Sequence, residues 1–109
     1  MDLIIRREIL NDKRLKCREK VVLATIELIF ALDSNLVNEG WLTQKNIEIL
    51  CGIPVVAVKC SLGILCKNGI IEIIGENSGT INKYDKNQII DIVRSINQRE
   101  QLYVRIIGV

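Results

Sequence analysis

The stretch WLTQKNIEILCGIPVVAVKCSLGILCKNGIIEII, residues 41–74, decides the fold. Thr43 is a residue type that caps helix amino termini, and Gln44 to Leu50 reads as a short helix with Ile47 and Leu50 turned inward until Gly52 stops it. Pro54 suits the first turn of a second helix, where its missing N–H is no loss. Ala57, Val58, Leu62 and Leu65 then recur on one face, and Gly69 closes the segment. Two helices joined by a turn of about three or four residues containing glycine form a helix-turn-helix. At Ile70 the period changes. Ile70 to Ile74 is dense in β-branched residues, Glu76, Asn77, Ser78 and Gly79 form a polar turn, and Thr80 to Tyr84 returns, which predicts a two-stranded hairpin.

Working outward, Val21, Val22, Ala24, Thr25, Leu28, Ile29 and Leu32 predict a first helix over residues 17–32. Asp33, Ser34 and Asn35 compete for backbone hydrogen bonds and end it, and a polar loop runs on to Glu39 and Gly40. Downstream, Asp85 or Asn87 caps a last helix through about Gln98, with Ile89, Ile92, Val93 and Ile96 as its apolar stripe. Leu102 to Val109 either extends that helix or forms a short strand. The expected class is mainly α with a small β-hairpin (α+β). A chain of 109 residues suits one such domain. Residues 1–16 form a basic arm or helix extension, 17–84 the core, and 85–109 a carboxy-terminal helix and tail.

The register of residues 41–74 resembles the winged helix-turn-helix family of transcription regulators, the group that includes MarR-like, Lrp-like and fimbrial-regulator proteins. The matching positions are Leu42, Thr43 and Gln44, then Gly52 and Ile53, then Val58, Leu62 and Leu65, then Lys67, Asn68, Gly69, Ile70 and Ile71. The resemblance implies a three-helix core, a wing and a carboxy-terminal helix. It also implies that the third helix enters the major groove while phosphates are held by the second helix's amino end and by the wing. Carried onto this chain, the outward recognition positions are Val55, Val56, Lys59, Cys60, Gly63 and Lys67. The wing contributes Asn77, Ser78 and Lys83, and Thr43, Gln44 and Lys45 address the backbone of the duplex. The chain departs from the family's pattern by offering Val55, Val56 and Gly63 where Arg, Asn or Gln usually read bases, so a shape-dependent contact fits better than direct readout.

Composition limits the remaining classes. Fifteen Lys and Arg stand against 13 Asp and Glu, so the net +2 does not by itself argue for a polyanionic partner. Arg6, Arg7, Lys13, Arg14, Lys16, Arg18 and Lys20 make the amino-terminal fifth the most basic part, though Glu8, Asp12 and Glu19 interrupt it. That cluster reads either as the wet face of a helix or as an arm tracking phosphate. No apolar run reaches the ~18 to 20 residues that span a bilayer, which leads us to expect a cytoplasmic protein with no membrane partner. Cys17, Cys51, Cys60 and Cys66 lack C-x-x-C spacing and the chain has no histidine, so the cysteines are expected to be reduced, mostly buried small residues, and no metal or cofactor is expected. With no histidine and no glycine-rich phosphate loop, catalysis is not expected either.

The expected function is that of a small regulator bound to double-stranded DNA. The apolar residues Ile89, Ile90, Val93, Ile96, Tyr103 and Ile106 suggest a homodimer that sets two recognition helices on successive grooves. A protein-interaction module is the alternative, with Val55, Val56, Cys60 and Gly63 as its contact face. A part of a plasmid or phage replication or partition initiator is a third.

Overall fold

A computed structural model describes residues 3–33, 38–75, 79–80 and 87–108. The elements are α1 (Arg7–Leu10), α2 (Cys17–Asp33), β1 (Glu39–Leu42), α3 (Gln44–Cys51), α4 (Val55–Lys67), β2 (Ile71–Gly75), β3 (Gly79–Thr80), α5 (Ile89–Ser95) and β4 (Leu102–Ile106). The chain is thus mixed, with helices on one side of a small antiparallel sheet. Among the described residues that sheet has the order β1-β4-β2-β3.

The long helix α2 is the centre of the helical layer. Its Val22, Leu23, Ile26, Ile29 and Phe30 are buried in one cluster with Ile47 of α3 and Val58, Leu62 and Leu65 of α4. Burial of each such side chain is worth about 1.5–3 kcal/mol. Its start is fixed by Glu19, whose carboxylate reaches back to accept the Lys16 N–H at 3.2 Å, as the third helical residue does in a capping box. Phe30 lies against Gly40 of β1. A Cβ on Gly40 would stand 3.0 Å from its ring, so a residue without a side chain is what lets helix and strand approach.

The sheet is where the fold departs from expectation. Glu39 and Gly40 belong to a strand rather than to a loop, and Leu102–Ile106 is a strand rather than a helical extension. This last strand enters the middle of the sheet. It pairs with β1 (Leu42 opposite Leu102, Glu39 opposite Arg105) and with β2 (Ile73 opposite Val104, Glu72 opposite Arg105). Leu102 and Val104 therefore face the core with Leu42, Ile71 and Ile73. On the other face Arg105 sits between two carboxylates, 3.1 Å from Glu39 and 3.7 Å from Glu72. Next along, Trp41 meets Tyr103 edge to face at 5.3 Å. The expected hairpin return is present only as β3, paired through Ile74 with Thr80 and Gly75 with Gly79. Its expected continuation over residues 81–84 lies outside the described residues.

The last helix is shorter than its apolar pattern suggested. Ile96 turns to extended backbone, and the Arg99 N–H donates to the Asn97 side chain at 2.8 Å while the Glu100 N–H donates to the Asn97 carbonyl. Asn97 thus converts the end of the helix into a turn that leads into β4.

Thr43 is the helix cap that its residue type predicted: its Oγ1 accepts the Asn46 N–H at 3.1 Å at the start of α3. Thr43→Ala is expected to lower the unfolding free energy by about 1 kcal/mol, whereas Thr43→Ser should keep most of it. Urea denaturation of the two variants checks this.

Candidate nucleic-acid interface

Helices α3 and α4 are bent by 112° across residues 52–54. Two local features set this corner. Gly52 ends α3 in the left-handed conformation, φ 76°, which a residue with a side chain adopts only under strain. Glu48 then bridges the helices. One carboxylate oxygen accepts the Val55 N–H, the first of α4, at 2.8 Å, and the other pairs with Lys45. Pro54 before it brings no capping side chain, so Glu48 supplies from α3 the acceptor that α4 lacks. Lys45 and the Val55 amide together hold the Glu48 carboxyl below its ordinary titration range.

Of the residues expected to address phosphate, Thr43 is buried and occupied by its cap, and Gln44 is wholly buried with neither amide atom hydrogen-bonded. The Lys45 N–H donates to the Gln98 carbonyl at 3.1 Å. The amino end of α3 is therefore closed by the turn after α5, and Gln44 does not reach solvent. Lys45 keeps a partly exposed ammonium, paired with Glu48.

The larger correction concerns α4. Its outward face is not open, because α5 packs along it. Gly63 is buried, and a Cβ there would stand 2.9 Å from the Ile90 Cα and 3.1 Å from its Cγ1. Lys59 turns its ammonium onto the carbonyls of Arg94 (3.1 Å) and Ile96 (2.8 Å), where a cation meets the negative end of α5. Arg94 in return donates to Cys60 Sγ at 2.8 Å. Lys59, Cys60 and Gly63 thus form an internal contact. Of the outward set, Val56 and Lys67 are exposed and Val55 is half-buried. Val56 and Lys67 lie about 16 Å apart along the helix at 1.5 Å per residue. The wing residues Asn77, Ser78 and Lys83, like the alternative cap Asp85, lie outside the described residues.

The amino-terminal cations are also largely engaged within the chain. Arg6 grips Glu27 through two nitrogens, at 2.7 and 2.9 Å. Arg14 pairs with Asp12 at 2.6 Å and donates to the Gly108 carbonyl, Lys20 donates to the Leu10 carbonyl, and Arg18 lies 3.6 Å from Glu19. The Arg14 guanidinium holds the Asp12 carboxyl below its usual range. Among the described residues Arg7, Lys13 and Lys16 make no ion pair, and they are exposed. Most of this segment is therefore the wet, internally paired face of α1 and α2.

Residues not expected to be exposed define a second feature. Leu50 points outward instead of inward, at 48% exposure, beside Ile49 at 68%, while Val56 across the turn reaches 74%. These apolar side chains flank the corner between α3 and α4. The sequence placed Leu50 inside because a helix of eight residues admits two apolar faces, Ile47 with Leu50 or Ile47 alone, and only the packing chooses. The cysteines also differ from expectation. Only Cys66 is buried, with its thiol pushed up to about 11 by that burial, whereas Cys17 is exposed and Cys51 and Cys60 are half-buried.

No single helix among the described residues is long and apolar enough to cross a membrane. No family model, curated protein or solved structure matches the chain.

The Glu48 bridge has a pH signature. A carboxyl whose folded pKa is lowered contributes stability that is present above its unfolded value, about 4.3, and lost as pH falls through the folded value. Glu48→Gln is expected to be less stable than the parent chain at pH 7 and to show a smaller deficit at pH 3. Urea midpoints at the two pH values check it, and an equal gap at both would refute the bridge.

Proposed function

We propose that the chain is a winged-helix domain that binds double-stranded DNA, with α4 as its groove-facing helix. The observation that carries this is the 112° corner of α3 and α4, within the ~90–120° of DNA-binding helix-turn-helix pairs. Behind it stands a sheet in which a late strand, β4, lies between β1 and β2. Lys67 at the far end of α4 is exposed and makes no ion pair among the described residues, so its charge is available to phosphate. Of the apolar residues that suggested a homodimer, Ile89, Val93 and Ile96 lie in the core, while Ile90, Tyr103 and Ile106 are half-buried.

A protein-contact role is favoured by one specific observation, the exposed Ile49, Leu50 and Val56 at the corner. Duplex binding decides between the two. The corner angle and the exposed Lys67 support the first.

The test is fluorescence anisotropy of a random duplex titrated with the protein over a salt series. Weak binding whose affinity falls steeply between about 50 and 200 mM salt is expected from phosphate contacts. Lys67→Gln should weaken it for every sequence and reduce the salt slope by about one. Binding that Lys67→Gln leaves untouched would remove α4 from the interface. Val56→Glu should change stability by less than about 0.5 kcal/mol, as an exposed position does, so that any effect it has on binding is read free of misfolding.

A further inference from the structure

We propose that α5 is an intramolecular occupant of the duplex-facing side of α4, and that α4 engages DNA only when α5 leaves it; this rests on the duplex-binding role proposed above.

Besides their shared core packing, three contacts tie α4 to α5 and its end at residues that a groove-reading helix would present. In the middle, Gly63 allows the backbone of α5 to approach so closely that a methyl group would strike the Ile90 Cα at 2.9 Å. One turn earlier, Cys60 accepts from Arg94, and Lys59 closes the end of α5 by donating to the Arg94 and Ile96 carbonyls. The duplex and α5 therefore compete for the same surface. They also compete for the same ammonium, because a phosphate would draw Lys59 more strongly than two neutral carbonyls do.

The cover is built to depend on α4. It has seven residues, and Gln88 at its N-cap position makes no capping side-chain bond. A helix that short is not stable by itself in water, so its order comes from packing. Its apolar face, Ile89 and Val93, is buried, and its packing is on α4. Loss of the contact thus melts α5 instead of swinging it as a rigid lid. Melting would uncover Lys59 and Cys60 and free Arg94, while α2, α3, β1 and β2 keep their own contacts.

Two substitutions on opposite sides of the contact test this in the full-length chain. Gly63→Ala puts a methyl group where the Ile90 backbone lies, and Val93→Ser removes the buried anchor of α5 without touching α4. Limited proteolysis read by mass spectrometry reports opening within residues 87–96, and anisotropy with the same random duplex reports binding. Both variants are expected to become cleavable in that segment and to bind at least about tenfold more tightly than the parent, because closure lowers apparent affinity by the open fraction. Variants that open yet bind no better than a parent showing salt-dependent binding would overturn the cover and leave the duplex role standing on another surface. Variants that open while neither they nor the parent bind at low salt would overturn the duplex role itself, and the cover with it. An α5 that stays protected in both variants would also overturn the proposal, since a segment that survives loss of its own contact is not a displaceable cover.

Discussion

At Gly63 the backbones of α4 and α5 come within a distance that no side chain tolerates, and much of the molecule is arranged around that approach. Because α5 lies there, Lys59 can close its carboxyl end, and the chain leaves α5 at Ile96 next to the amino end of α3. The turn through Asn97 and Gln98 then hands a carbonyl to the Lys45 N–H, one of the amides that α3 cannot satisfy internally. From this turn the chain enters β4 between β1 and β2. Helix contact, loop and central strand thus form one sequence of dependencies, in which displacement of α5 acts first on the loop and last on the sheet.

The sheet adds a constraint of another kind. The bond from Tyr103 to Glu39, at 2.6 Å, spans 64 positions of chain, and the Arg105 bond to Glu39 spans 66. Such pairings carry the entropic cost of closing a long loop. Arg105 between Glu39 and Glu72 sets the register of three strands with one guanidinium. A slip of one residue would put Arg105 into the core and Val104 into water, which is why an ion pair at a surface, worth little in energy, still specifies the pairing.

The local rules of sequence found the helices and missed what was distant. The span of α2, the Thr43 cap, the Gly52 stop and the inward Val58, Leu62 and Leu65 were legible, since each depends on neighbours within a few positions, but the stripe of α2 was drawn off its true face: Leu32 is exposed, and Leu23, Ile26 and Phe30, which it left out, are buried. Strand β1 was not, because four residues with glycine in second place carry too little alternation. Leu102 to Ile106 does alternate, yet the same apolar residues would continue a helix, and only pairing with strands far away in sequence decides. The buried face of α4 was half legible. Its outer side carries Cys60, Gly63 and Ile64 where a solvated helix carries charge, and a helix apolar on both sides is covered on both sides. The resemblance to DNA-reading helices assigned that side to a duplex, and the chain's own α5 stands there in this structure. Gln44 was misplaced for the opposite reason. A polar residue at a helix start is expected to face water, and burying both its amide atoms without partners runs against the usual pairing of such groups.

Charge explains why the covered side matters more than the exposed remainder. Arg6, Arg14, Lys20 and Arg105 are held by carboxylates or carbonyls elsewhere on the chain, so they add little field near α4. With α5 in place, Lys67 is the exposed cation among the outward positions of α4, and one charge gives a weak, strongly screened attraction for a duplex. Without α5, Lys59 joins it two turns away on the same helix, and Arg94 is released from Cys60 on a segment tethered beside it. Val56 and Gly63 on the same side of the helix would then contact the groove by shape, while the cations hold phosphate. On the proposed role, a helix of this composition would gain its affinity from position and charge, and both would depend on whether α5 is docked.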